Sequence, residues 1–201
     1  GDHRDLHSVP TRRSSDLEGN DLIIWEDDLK TEKMRFTFPR QPIEQRGGKR
    51  LCLADYFAAI DSGRTDVVAF DLVTMGRQAS EYSAKLFKSD NYTDYLLFHG
   101  LSVESAEALA EMWHKRIREE LGIAGNDAPE LAKLFHQGYQ GSRYSFGYPA
   151  CPNISDQGKL FELLQPERIG VNLTDEFMLD PEQSTSAIVL HHPEAKYFNI
   201  D

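Results

Sequence analysis

The sequence predicts an α+β fold: a mostly antiparallel, twisted β-sheet with a central group of helices that includes one long helix at about 102–121. Three observations carry this reading. β-rich runs stand towards both ends of the chain, and helical periodicity is grouped in the middle. Regular strand–helix alternation is absent, as are the G-x-G-x-x-G and G-x-x-x-x-G-K-[ST] loops of nucleotide-binding α/β folds.

Taken in order, residues 1–17 have neither helical nor strand periodicity and few large apolar residues, so they are expected not to fold on their own. Their run Asp5-Leu-His-Ser-Val-Pro-Thr-Arg-Arg-Ser-Ser-Asp16-Leu17 is similar to translated sequencing-adaptor sequence. Residues 1–18 are therefore expected to be a non-native or disordered tail. A flexible tail or targeting peptide is the alternative, although Asp2, Asp5 and Asp16 argue against a transit peptide.

Leu22-Ile-Ile-Trp25 and Met34-Arg-Phe-Thr-Phe38 read as two strands joined by a charged turn, the second alternating strictly between apolar and polar. Gly47 and Gly48 break the chain before Leu51-Cys-Leu-Ala-Asp-Tyr-Phe57, and Asp61-Ser-Gly63 makes a turn. Val67-Val-Ala-Phe-Asp-Leu-Val-Thr74 reads as a central strand buried on both faces, with a helix left open by length alone.

Beyond Gly76 a first helix carries Ala79, Tyr82, Leu86 and Phe87 on one face, and Tyr92, Tyr95 and Leu96 begin the next. In the long helix Val103, Ala106, Leu109, Ala110, Trp113, Ile117 and Leu121 fall at three- and four-residue steps, with Glu107, Glu111, Lys115, Arg118 and Glu119 on the wet side. Ser102 and Ser105 are N-cap candidates and Gly122 stops the helix. Shorter helices follow at 129–135 and 157–164, the latter with Ser155 and Asp156 as capping candidates. Val171-Asn-Leu173, Phe177-Met-Leu179 and Ser186-Ala-Ile-Val-Leu190 return to β character.

The chain has 201 residues, 40% hydrophobic and 27% charged, enough for one sizeable core. Its 22 Lys and Arg against 33 Asp and Glu give a net charge of −11, which disfavours nucleic acid and anionic membrane surfaces as partners. No apolar run approaches the roughly 18 residues of a membrane span. A cytoplasmic location is expected. Cys52 and Cys151 stand far apart, outside any zinc or redox-dithiol spacing.

The least ordinary segment is Gly138-Tyr-Gln-Gly-Ser-Arg143-Tyr-Ser-Phe-Gly147-Tyr148-Pro149-Ala-Cys-Pro152. Its glycines and prolines exclude a regular helix, so it reads as a shaped loop with accessible backbone groups. Arg143 offers a planar fork matched to a carboxylate, and tyrosines can bracket an aromatic ring. The plain alternative is a connector whose Arg pairs with a surface acid and whose tyrosines are core. Elsewhere, His191-His192 point to opposite faces of an extended chain with no third ligand evident, so no metal site is expected. His114 reads as structural or surface, and Cys151 as a buried, inert thiol.

With these segments in hand, the sequence resembles the S-adenosylmethionine-binding activation domain of cobalamin-dependent methionine synthase. The resemblance rests on Leu51-Cys-Leu-Ala-Asp55-Tyr-Phe with Asp61-Ser-Gly63, on the helix Ala106-Glu107-Ala-Leu-Ala-Glu111-Met-Trp-His114-Lys-Arg-Ile-Arg118, on the 139–152 loop, and on Lys196-Tyr197-Phe198. It covers 19–201. The resemblance implies a chain that binds S-adenosylmethionine and supports reductive remethylation of inactive cob(II)alamin. Cobalamin would be held by a separate module, with flavodoxin or a flavoprotein reductase as electron donor. The isolated chain is not expected to be active alone. By position, Arg143 is expected on the methionine carboxylate, with backbone around Tyr144, Ser145 and Gly147 on the amino group and Tyr148 shaping the pocket. Tyr197 and Phe198 are expected at the adenosine end. Glu107 is a further candidate near the sulfonium, with a solvated surface charge as its alternative. The chain is expected to contribute no catalytic acid, base or metal. The other function class is a non-catalytic module of the same fold that senses S-adenosylmethionine or docks on a corrinoid protein.

The sequence departs from the family pattern at Ile154 and Gln157, and in its Tyr-Ser-Phe-Gly version of the loop. The family's ribose-gripping acid has no counterpart in residues 1–19, and the closing strand and helix are missing after Tyr197. The resemblance therefore implies a domain incomplete at both ends.

Overall fold

The computed structural model describes the backbone of residues 4–13 and, with side chains, residues 19–43, 48 and 50–200. The elements are β1 (Arg4–Arg13), β2 (Asp21–Trp25), β3 (Glu32–Thr37), β4 (Asp66–Thr74), α1 (Arg77–Lys88), α2 (Tyr92–Glu120), α3 (Leu131–Leu134), β5 (Ser142–Tyr144), α4 (Gln157–Leu164), β6 (Asn172–Leu173), β7 (Leu179–Asp180) and β8 (Ser184–Leu190). Six strands form one antiparallel sheet in the order β3-β2-β1-β4-β8-β5, and β6 and β7 form a separate hairpin. The predicted α+β class, antiparallel sheet and long helix are all present.

The continuous apolar run of β4 follows from its central place. Val68, Phe70 and Leu72 face the main core, while Ala69, Asp71 and Val73 face α2. β8 divides the same way, with Ile188 and Leu190 on the core side and Ala187 and Val189 buried beneath the helix. Phe36 and Phe38 of the β3 region, Leu160 and Leu164 of α4 and Tyr144 of β5 close the main core. On the other face Ala110, Trp113 and Ile117 press α2 onto the sheet.

The turn between β2 and β3 is fixed by Asp28, which accepts hydrogen bonds from the amides of Lys30 and Thr31 and from the Thr31 hydroxyl. Those donors hold its carboxyl below the usual range. The Leu51-Cys-Leu-Ala-Asp block has a structural explanation. Asp55 accepts from the Cys52 amide at 3.1 Å and from both terminal nitrogens of Arg40 at 2.7 and 2.8 Å. One carboxylate thus ties the 3-10 turn Leu53–Tyr56 to the segment after β3.

Four expectations are corrected. Residues 4–13, read as part of an unstructured tail, form β1 between β2 and β4. Ladder hydrogen bonds come from the backbone, so a central slot organises a sequence without strand periodicity, even one with Pro10 in it. The rest of that expected tail, residues 1–3 and 14–18, lies outside the described residues, as does Gly47; Gly48 turns at φ 72°. The long helix begins ten residues before 102 and runs through Gly100. Ser102 and Ser105 are interior, and their hydroxyls donate back to the carbonyls of Phe98 and Leu101. A helical glycine costs only about 1 kcal/mol, and packing on α1 offsets it: Tyr82 meets Phe98 edge-on at 4.8 Å and Phe87 meets Tyr95 at 5.1 Å. Asp156 starts α4 without a side-chain cap bond, and its carboxylate instead meets Lys159 at 2.7 Å. Finally, the signature segment contains strand β5. Gly141 leads into it at φ 91°, where a Cβ would collide with the Leu190 carbonyl oxygen.

Candidate ligand site

Because β5 is a strand, successive residues of the signature segment face opposite ways. Tyr144 points into the main core: it is 1% exposed, and its hydroxyl donates to the Lys196 carbonyl at 2.8 Å. Burial pushes that phenol's pKa up. Tyr197 stacks on it at 6.3 Å with half its surface exposed, and Phe198 meets it edge-on at 6.2 Å from a buried position. Arg143 points the other way, beneath α2. Its Nη2 lies 3.3 Å from Glu111 Oε2 and 3.6 Å from Glu107 Oε2.

After β5 the chain turns over 147–151, where Gly147 at φ 87° donates to the Cys151 carbonyl and the Cys151 amide to that of Tyr148. This turn forms one wall of a cavity of about 710 Å³. Ser145, Gly147 and the exposed Tyr148 line that wall, Val103 and Glu107 of α2 the roof, Thr185 and Ser186 of β8 the floor, and Met178 to Asp180 the far side. The size fits a small-molecule site. Its charged lining residues are all acids: Glu107, Asp180 and Glu182, paired respectively with Arg143, Arg77 at 3.1 Å and His99 at 3.6 Å. Gln157 closes one corner, anchored to the Ser186 hydroxyl and the Phe177 carbonyl.

Of the eight residues chosen from sequence, Glu107, Ser145, Gly147 and Tyr148 meet at the cavity, and Arg143 stands behind Glu107. The Tyr144 side chain and Phe198 do not reach it. They are core residues on the opposite face of the sheet, and Tyr197 covers them there.

Several polar residues escaped the sequence reading. Glu111, one turn from Glu107 on the helix face that reads as wet, completes the clamp on Arg143. Arg118, assigned to the same side, is 2% exposed. Its Nε and Nη2 donate to Asp127 at 2.9–3.1 Å, and its guanidinium lies 3.9 Å above the Tyr139 ring. His114 is buried edge-on to Tyr139. Burial, reinforced by the cations Arg118 and Arg143, holds its pKa down to about 2, so the imidazole is neutral. Burial and the nearby Glu111 push Tyr139 up to about 12. Asp71 is 1% exposed beneath α2; a lone acid in an apolar strand was its only sequence signal. Away from the cavity, His191 pairs with Asp66 at 3.0 Å, and His192 packs on Tyr56. Cys151 is buried, which raises its thiol pKa.

The comparisons bear on this geometry. Residues 10–201 match the model of the family described as vitamin B12 dependent methionine synthase, activation domain. Methionine synthases of Mycobacterium leprae (strain TN) and Mycobacterium tuberculosis (strain ATCC 25618 / H37Rv) are each 49% identical over 195 residues. Each match takes in 91% of this chain but 16% of the relative, so the chain spans about one sixth of those proteins. The crystal structure of the MetH reactivation domain bound to AdoHcy superposes with a TM-score of 0.89 at 30% identity, covering 97% of this chain and 60% of that one. The chain thus belongs to the activation-domain family of vitamin B12-dependent methionine synthase.

Proposed function

We propose that this chain binds S-adenosylmethionine in the cavity beside β5 and presents it for reductive remethylation of cob(II)alamin held by a separate module of a methionine synthase. The observation that carries the reading is the meeting of the signature turn with Glu107 at an acid-lined cavity backed by Arg143. An AdoHcy-bound structural relative supports it.

The bound ligand brings its own activation, a methyl group on a positively charged sulfur. The chain's residues bind and orient. Arg143 takes the methionine carboxylate in place of its long contacts to Glu107 and Glu111. Released from Arg143, Glu107 faces the cavity and favours the ligand's ammonium and sulfonium charges. Backbone groups of Ser145 and Gly147 hold the amino-acid end, and Tyr148 walls the opening. Tyr139 and His114 keep their protons fixed near neutrality, consistent with a site that orients rather than catalyses proton transfer. The electron that accompanies methyl transfer to cobalt comes from flavodoxin or a flavoprotein reductase. Among the described residues no helix is long and apolar enough to cross a membrane, and we place this reaction in the cytoplasm.

The test is reconstitution. The chain is mixed with a cobalamin module in the cob(II)alamin state, reduced flavodoxin and S-adenosylmethionine, and the absorbance change to methylcobalamin is followed. Conversion that requires both the chain and S-adenosylmethionine is expected. Persistent cob(II)alamin with ligand demonstrably bound would favour the sensing or docking module instead.

A further inference from the structure

One oxygen of Glu111 is shared between two donors. Its Oε2 accepts from Arg143 Nη2 at 3.3 Å and from the Tyr139 hydroxyl at 3.4 Å. Full-strength bonds run to about 3.2 Å from N–H donors and about 3.0 Å from O–H donors, so neither donor has the carboxylate to itself. Among the described residues these are the two donors to Glu111; Lys115, one turn further along α2, pairs with Glu119 at 3.9 Å instead.

The Tyr139 ring is fixed on two sides. The Arg118 guanidinium lies 3.9 Å above its face, and His114 meets it edge-on at 4.9 Å. Arg118 is in turn tied to Asp127 by bonds of 2.9–3.1 Å. A ring so packed delivers its hydroxyl to one place. Burial and Glu111 keep that phenol protonated up to about pH 12, so it is a donor wherever the chain is folded and working.

The two acids on Arg143 differ in what awaits them when it leaves. The Glu107 side chain is 50% exposed and lines the cavity, where water or a cationic ligand can meet it. The Glu111 side chain is 28% exposed and does not line the cavity. A half-buried carboxylate stripped of its cation needs another donor, or its loss opposes the exchange. Tyr139 is the donor already in contact.

We propose that Tyr139 is a positioning residue for the Arg143 site: it shares Glu111 with Arg143 in the free chain and takes that carboxylate over when Arg143 turns to a ligand carboxylate. This rests on the ligand reading above and names the group that lets Arg143 go. No proton is transferred; the hydroxyl bond to Glu111 shortens as the guanidinium bond breaks. Tyr139→Phe keeps the ring between Arg118 and His114 and removes the receiving donor alone. It loses a weak, shared bond in the free chain and a full one in the complex, so affinity falls.

The experiment is a double-mutant cycle read by calorimetric titration with S-adenosylmethionine, in proteins shown to be folded by thermal melts. Tyr139→Phe is expected to bind about fivefold more weakly than wild type. In the Glu111→Ala background the same substitution is expected to change affinity less than about 1.5-fold, because nothing is left to receive. A purely structural role for Tyr139 would cost affinity equally in both backgrounds. A ligand-free arm separates this proposal from the ligand reading: the Tyr139 hydroxyl proton is observed by low-temperature NMR in wild type and in Arg143→Met. Removing the competing cation is expected to move that proton downfield and to slow its exchange with water. An unmoved hydroxyl proton, unchanged affinity in Tyr139→Phe, or a loss that persists in Glu111→Ala would overturn the proposal. Absence of binding to folded wild type, with a hydroxyl that responds to Arg143→Met, would count against the ligand reading; the sharing of Glu111 would then stand and its transfer on docking would be refuted.

Discussion

Asp127→Ala is expected to destabilise the fold by about 3–5 kcal/mol, because it strands a buried guanidinium. Arg118 is 2% exposed and Asp127 supplies its carboxylate partner through Nε and Nη2. Its Nη1 already has no hydrogen-bond partner among the described residues. The Tyr139 ring face, 3.9 Å away, offers a cation–π contact but accepts no hydrogen bond of comparable strength. For a chain of this length the loss corresponds to a fall in melting temperature of roughly 6–20 °C. The double variant Arg118→Met with Asp127→Leu removes the charge together with its partner and should recover most of the loss. Thermal melts of the three proteins check this. A single variant within about 0.5 kcal/mol of wild type would mean that the pair is far better solvated than its burial indicates.

Tyr144→Ala is expected to cost a similar amount, about 3–5 kcal/mol, because an aromatic ring leaves a packed core. That ring is 1% exposed, stacks with Tyr197 and meets Phe198 edge-on, so its removal opens a hole where β5 joins the C-terminal segment. Tyr144→Phe keeps the ring and loses only the donor to the Lys196 carbonyl, a change of about 1 kcal/mol. Chemical denaturation separates the two. The same pair divides structure from recognition: Tyr144→Phe should leave ligand affinity unchanged, because the hydroxyl faces away from the cavity. A large affinity loss in Tyr144→Phe would bring the ligand to the other face of the sheet.

Both variants sit where sequence reading was least informative. The apolar run of β4 and the alternation in β3 were legible because burial dictates side-chain pattern. The face of α2 that carries Ala106, Ala110, Trp113 and Ile117 was legible for the same reason. The first ten residues of α2 were not joined to it, since Leu97 and Leu101 are exposed and Gly100 interrupts the propensity. β1 was invisible because its place depends on two neighbouring backbones. At the site, the segment itself was legible, but its glycines and prolines concealed a three-residue strand. Arg143 is expected to act through its side chain and Tyr144 through its backbone, and the strand sends the two side chains to opposite faces. Arg118 shows the converse: a charge at a wet-looking helical position is buried because Asp127, nine residues on, folds back to meet it.

The central claim is that the turn after β5, with Arg143 behind it, receives the amino-acid end of S-adenosylmethionine. Isothermal titration of the folded chain with S-adenosylmethionine, wild type against Arg143→Ala, tests it most directly. Saturable binding in wild type, weakened in the variant by about 1.5–3 kcal/mol, roughly ten- to a hundredfold, is the predicted result. Binding that is equally tight in both proteins, or no binding to a chain shown to be folded, would contradict it.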